Sequence, residues 1–349
     1  GGALAPGARV SRLHALRLGR WSIRLEPRGL MVCAALTILA LLLAAVLLGT
    51  GTLTLGPAEL WAALSSDQAE PTARRILYRI RLPRVLTAML VGAALGLAGA
   101  LFQSIARNPL GSPDIIGFTT GSASGAIVQI ILFDAGPLAT ALAAVVAGLI
   151  TAFLVMGLSR GRGSQGLVLV GIGVGATLSG LNNLLLVSAN LDQAMFAQMW
   201  LAGSLNTRTW DHVLPALLGL ALALPVALFH SRRASLLEMG EATAGALGVI
   251  PARTRRVLVL AAVALTAIAT ASAGPIAFIA LAAPQLARRL ARPAGLALLP
   301  AALMGALLLM LADLLSQRFA AFAHLPIGLV AGVMGGTYLL WFLLRRGNY

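Results

Sequence analysis

The chain has 349 residues, 59% hydrophobic and 11% charged, with a formal net charge of +15 and a mean hydropathy of +0.90. A soluble domain carries about 25% charged residues, so this composition excludes a water-facing globule. It points instead to an all-α polytopic membrane protein with short loops, about ten crossings at ~20 residues each. Every basic side chain other than His is Arg and none is Lys, which excludes a P-loop and Schiff-base chemistry in this chain. The single Cys, Cys33, excludes an intrachain disulfide and a Cys-rich metal site. The positive charge is read as membrane orientation, not nucleic-acid binding.

Residues 1–29 form an Arg-rich segment expected on the cytoplasmic side (Arg9, Arg12, Arg17, Arg20, Arg24, Arg28). The apolar run 30–48 is longer than a signal-peptide core and is expected as a retained first crossing. Further runs lie near 85–106, 115–133, 137–158, 167–189, 213–230, 257–273, 275–287, 296–313 and 326–344. The run 275–287 is short, follows Gly274-Pro275 and contains Pro284, so it is either a half-helix or a broken crossing. The membrane domain then covers 30–345, with 346–349 as a cytoplasmic tail. Alternating from an inside N-terminus leaves only Arg74, Arg75, Arg79, Arg81, Arg84, Arg208 and Arg318 outside. That bias favours both termini being cytoplasmic.

The spans contain no ionisable residue until their ends, where Asp313 sits. Ion-coupled carriers place charge within the membrane and channels use acidic rings, so neither is favoured. His14, His212, His230 and His324 are scattered, which offers no catalytic cluster. Gly92 and Gly96, and the series Gly117, Gly121 and Gly125, have the spacing of close helix packing. Among the amides and hydroxyls in the spans are Gln103, Thr119, Thr120, Ser179, Asn182 and Asn183. They serve either interhelical hydrogen bonds or a weakly interacting translocation pathway. Asn182 and Asn183 are ~100° apart on a helix, so both cannot face one narrow seam.

Three segments carry chemistry. Arg74 to Arg84 lies on the side disfavoured for basic residues; it is a lipid-headgroup collar or a docking site for an acidic partner. Arg107-Asn108-Pro109-Leu110-Gly111-Ser112-Pro113-Asp114 is a tight cytoplasmic turn, either a plain connector or a constriction built from Asn108 and Leu110. Within the loop 232–256, Glu238 to Val249 reads as a short helix ended by Gly248, with Pro251 beyond. Its acidic residues suit the first turn, and its Ala and Gly residues make a smooth face for a partner.

On these segments the chain resembles, over roughly 30–345, the permease family of ATP-binding-cassette importers for iron–siderophore, haem and vitamin B12. The resemblance rests on Arg81-Leu82-Pro83-Arg84, Gly92 through Gly99 to Gln103, Asn108-Pro109-Leu110 with Pro113, and Glu241/Ala242 to Leu247-Gly248-Val249. It continues in Gly274-Pro275-Ile276-Ala277-Phe278-Ile279, Ala312-Asp313 and Leu325-Pro326-Ile327-Gly328. Asn108 to Asp114, Gly203-Ser204-Leu205-Asn206 with Trp210, and Leu236 to Gly240 look most like the catecholate (ferric enterobactin) branch.

The resemblance implies a type II importer subunit of ten helices in the inner membrane of a bacterium. It implies a second permease subunit, a paralogue more than a copy, two ATPases holding ATP and Mg, and a periplasmic or lipoprotein siderophore-binding protein. This chain then performs no bond chemistry and needs no cofactor or metal of its own. Arg81 and Arg84 match docking positions; at the third, Gln317 stands where a basic residue is usual, with Arg318 one place on, and His324 stands where an acidic residue is common. Glu238, Glu241, Ala242, Gly245, Leu247 and Gly248 fall in the ATPase-coupling segment. Asn108 and Leu110 are expected at the cytoplasmic gate, and Gln103, Asn182 and Asn183 along the pathway. The competing reading, a self-sufficient secondary carrier or channel for a small solute, needs an intramembrane ion site, for which Gly274-Pro275 is the only candidate break.

Overall fold

The computed structural model describes residues 14–18, 21–51, 54, 56–65, 70–114, 116–134, 136–293, 295–319 and 325–346. His324, residues 1–13 with Arg9 and Arg12, Arg20, and 347–349 of the expected tail lie outside the described residues. Two short strands, β1 His14–Leu18 and β2 Trp21–Leu25, pair antiparallel; the other regular elements among the described residues are helical.

The helices are α1 Pro27–Gly49, α2 Pro57–Ser65, α3 Pro71–Ile76, α4 Leu82–Ala106, α5 Phe118–Phe133, α6 Pro137–Leu158 and α7 Gly163–Ser188. They continue as α8 Leu191–Leu201, α9 Trp210–Glu238, α10 Glu241–Ala246, α11 Pro251–Ala273, α12 Ile279–Ala291, α13 Leu298–Phe319 and α14 Ile327–Arg346. Pro27, Pro71, Pro137 and Pro251 start their helices where the missing N–H costs nothing. The expected apolar runs correspond to α1, α4, α5, α6, α7, α9, α11, α12, α13 and α14. Among the described residues, seven helical stretches are individually long and apolar enough to cross a membrane, while α5 and the apolar part of α14 are shorter.

The run expected at 275–287 is shifted. Residues 274–278 are irregular and α12 has 13 residues, about 20 Å of helix against a hydrocarbon core of ~30 Å. The interruption is tolerated because neighbouring backbone satisfies it: the Ser204 N–H donates to the Ala273 carbonyl at 2.8 Å. Irregular backbone at membrane depth survives only inside protein or along a cavity.

Helix α4 is the axis of the bundle, sheathed by α13, α11, α9 and α12. Its approach to α13 is set by glycine: a Cβ at Gly92 would strike the Gly305 carbonyl, and one at Gly96 the Ala301 carbonyl. The second expected series also packs, Gly121 against Thr151 and Gly125 against Ala143 and Ala147 on α6. Between α3 and α4 the helix widens into one π turn, Leu77–Arg81, where the Leu82 N–H reaches the Leu77 carbonyl. Pro83 explains the widening, since it cannot donate to the preceding turn and its ring crowds that turn's carbonyl.

The connector after α4 departs from a simple surface turn. Arg107 to Leu110 are exposed, but Gly111, Ser112 and Pro113 are buried, and Gly117 packs against Gly171 and Gly175 of α7. Those glycines lie about 12–18 Å into α7, so the connector dives back into the bundle and delivers Asp114 there. Thr119 Oγ1 donates to Asp114 at 2.6 Å, and the Phe278 N–H at the head of α12 also donates to it. Asp114 is half-buried there, a connector carboxylate held between α5 and the head of α12.

Candidate functional site

On the face carrying α2, α3 and the 203–210 segment, a depression of about 740 Å3 is lined by residues including Thr50, Arg84, Asn206, Gln317 and Arg318. Arg84, from the first turn of α4, is engaged from within. Its Nε lies 3.1 Å from each oxygen of Asp313 and its Nη2 lies 2.7 Å from Oδ1. Its Nη1 donates to Asn206 Oδ1 at 2.8 Å. Gln317, one turn along α13, donates to Asp313 Oδ2 at 2.9 Å. Asp313 is 0% exposed, so this is a buried carboxylate whose lone pairs are met by Arg84 and Gln317.

Arg81 is turned away from the depression. It is 7% exposed, and its Nη1 donates to the Leu48 carbonyl at 2.7 Å. That carbonyl belongs to the last turn of α1, where no helical donor remains. Within this subunit Arg81 thus caps the end of α1, and the π turn is what points it there. Arg318 is exposed at the rim. Trp210 Nε1 donates to the Tyr78 carbonyl at 3.0 Å, so the Gly203-to-Trp210 motif ties the loop before α9 to the base of α4.

On the opposite face, α10 forms the expected small-residue helix. Ala244 is buried with Leu237 and Val249, while Ala242, Gly245, Leu247 and Gly248 are exposed, as are Met239 and Ile250. A Cβ at Gly245 or Gly248 meets nothing. Glu241 pairs with Arg255 of α11, and Glu238 pairs with Arg288 of α12 at 2.8 Å. The acidic residues thus anchor the segment to its own bundle and leave its apolar face open. Asn108 and Leu110 share this face; Asn108 Oδ1 accepts from the Leu110 N–H at 2.9 Å, which stiffens the turn.

The expected pathway residues separate. Gln103 is buried and donates to the Leu281 carbonyl at 3.0 Å, joining α4 to α12. Asn182 is 7% exposed, whereas Asn183 is exposed with Gly173, Ala176, Thr177 and Gly180 along one side of α7. The angular argument for the pair therefore holds, with one inward and one outward. Asp313, Asn206 and Gln285 took no part in the expected sites. The i, i+4 relation of Asp313 to Gln317 was a visible signal; the pairing with Arg84, 229 positions away, had none.

Discontinuous helices, a glycine-packed axial helix and a short small-residue helix pinned beneath the bundle define a multi-helix membrane permease. The model of the FecCD transport family matches residues 36–345, and the chain belongs to that family of iron-chelate ABC importer permeases. It is 46% identical over 324 residues to the ferric enterobactin transport system permease protein FepG of Escherichia coli (strain K12), covering 92% of this chain and 98% of that protein. It is 37% identical over 288 residues to the Fe(3+) dicitrate transport system permease protein FecD of the same organism, covering 82% and 90%. Its fold matches a solved structure described as an inward-facing conformation of a metal-chelate type ABC transporter, with TM-score 0.82 and 30% identity over 90% of this chain and 99% of that one.

Proposed function

We propose that this chain is the permease subunit through which an ATP-driven importer moves a ferric siderophore, of the catecholate class, across the inner membrane of a bacterium, both termini being cytoplasmic. The observation that carries the reading is the exposed apolar face of α10, held from behind by Glu238–Arg288 and Glu241–Arg255. A solvated loop has no use for Met239, Ala242, Gly245, Leu247 and Ile250 presented together; an ATPase cleft does. ATP and Mg belong to two such ATPase subunits, and a paralogous permease completes the membrane pore. The names of the relatives differ in cargo, enterobactin for one and dicitrate for the other. The higher identity to the first, together with the Gly203-to-Asn206 segment at the outer depression, supports the catecholate.

The test is to fill the small face. Ala242→Trp and Gly245→Trp are expected to leave the membrane subunit folded, because both positions are exposed, and to reduce ATPase co-purification and uptake at least about tenfold. Normal co-purification and uptake in both variants would defeat the reading.

A periplasmic or lipoprotein binding protein is placed at the outer depression, with Arg318 its exposed contact and Arg84 contributing only its accessible edge. A rim charge mainly alters on-rate and salt dependence. Arg318→Glu is accordingly expected to slow binding-protein association at low salt and to matter less at high salt, measurable by surface-immobilised kinetics.

The exposed side of α7 is assigned to the pathway and the partner-permease interface. In a Cys33→Ala background, Asn183→Cys should react with a water-soluble maleimide in a nucleotide-dependent manner, and Asn182→Cys should stay protected. Protection at both positions in every state would remove α7 from the pathway wall.

A further inference from the structure

Helix α12 is bonded at successive levels to everything the transport cycle must connect. At its head, the Phe278 N–H donates to Asp114. Leu281 accepts from Gln103 of α4 at 3.0 Å. One turn further, Gln285 Nε2 donates to the Pro109 carbonyl at 2.8 Å, inside the turn that carries Asn108 and Leu110. Three residues on, and on the same face, Arg288 holds Glu238 beside α10. Where α12 leads into α13, a Cβ at Gly295 would lie 3.1 Å from Ser235 Oγ of α9.

Gln285 is an unusual choice for this place. It is 6% exposed, and its Oε1 is buried with no partner among the described residues. An apolar side chain of similar volume would pack there without stranding an acceptor. What only the amide supplies is the bond to Pro109. The turn it grips moves as a unit, because Asn108 accepts from both the Leu110 N–H at 2.9 Å and the Gly111 N–H at 3.0 Å. Helix α12 itself is flanked by residues in the left-handed region, Phe278 at φ 67° and Arg292 at φ 44°. It is therefore a short rigid rod between two sharp bends, discontinuous with α11.

We propose that α12 is the strut that carries movement of the 238–249 segment to the 108–111 turn, with Glu238–Arg288 as the driving link and Gln285 as the residue that positions the gate. This rests on the proposed coupling and gate assignments and adds the connection between them.

The experiment uses the assembled transporter with its ATPases in proteoliposomes and needs no cargo. Leu110→Cys in the Cys33→Ala background is labelled with a water-soluble maleimide in nucleotide-free and ATP-bound states. With the strut intact, the labelling rate depends on nucleotide. Gln285→Leu, which conserves volume, should shrink that dependence about tenfold, within the range of ordinary coupling free energies, while ATPase co-purification and hydrolysis persist. Arg288→Glu should shrink the dependence as well, and adding Glu238→Arg should restore it, which a general loss of packing would not.

Nucleotide-dependent labelling that survives Gln285→Leu would overturn the strut while leaving coupling and gate standing. So would single charge reversals that the double reversal fails to rescue. Equal labelling in all states before any strut mutation would overturn the gate assignment and the strut together. Loss of ATPase binding only in Ala242→Trp, with the strut variants coupling normally, would leave the coupling assignment and remove the strut.

Discussion

Asp313→Leu is expected to destabilise the permease by about 3–5 kcal/mol, the usual cost of removing one member of a buried ion pair. Asp313 is wholly buried, and Arg84 is 23% exposed at its side chain, so the guanidinium left behind has little water to recover. The fork of Arg84 on both carboxylate oxygens, with Asn206 on its remaining arm, leaves no second acid among the described residues within reach. The double variant Arg84→Met with Asp313→Leu should recover most of the loss, since a desolvated pair stabilises little beyond a well-packed apolar isostere. Thermal unfolding of the detergent-solubilised complex reads both values. The same cycle separates two roles for Arg84. If it clips α4 to α13, Arg84→Met alone lowers the melting temperature. If it is chiefly a docking arm, melting is unchanged and only association with the binding protein weakens.

The pair also shows where sequence reasoning stops. Counting arginines by side places Arg81 and Arg84 together on the outer face, and both are indeed at the base of α4. The count cannot see that one π turn before Pro83 sends Arg81 into α1 while Arg84 meets Asp313. Hydropathy located the apolar runs, because ~20 apolar residues have few uses other than a crossing. It misplaced the start of α12, since Gly274-Pro275 to Phe278 are as apolar as a helix yet held irregular by the 200–204 backbone. It carries no sign that Gly111, Ser112 and Pro113 turn back into the bundle, as the packing of Gly117 on α7 requires. Gln103 is ambiguous for the same reason: a polar residue in an apolar run has a pathway and a packing explanation, and the bond to the Leu281 carbonyl supplies the packing one. The N-terminal hairpin is visible in the sequence only as the alternation Leu16-Arg17-Leu18 and Ile23-Arg24-Leu25 on either side of Gly19.

Gly99→Val should abolish assembly of the folded permease, and even Gly99→Ala should cut its yield sharply. A Cβ at Gly99 falls on the Ala280 carbonyl, with the carbonyl carbon at 2.6 Å. Both sides of that contact are backbone, so no rotamer change relieves it, and α12 must move bodily off α4. Overfilling a packed core costs about 1–3 kcal/mol when side chains can yield; here they cannot, and the Gln103–Leu281 bond one turn away is lost with the approach. The control is Gly157→Ala in α6, where a Cβ meets nothing and replacing an exposed helical glycine should stabilise by about 0.5–1 kcal/mol. Size-exclusion profiles and melting temperatures of the two variants should therefore move in opposite directions. If Gly99→Ala elutes and melts like the parent, α12 is not seated against α4 by backbone contact, and the close crossing that fixes the strut's position is wrong.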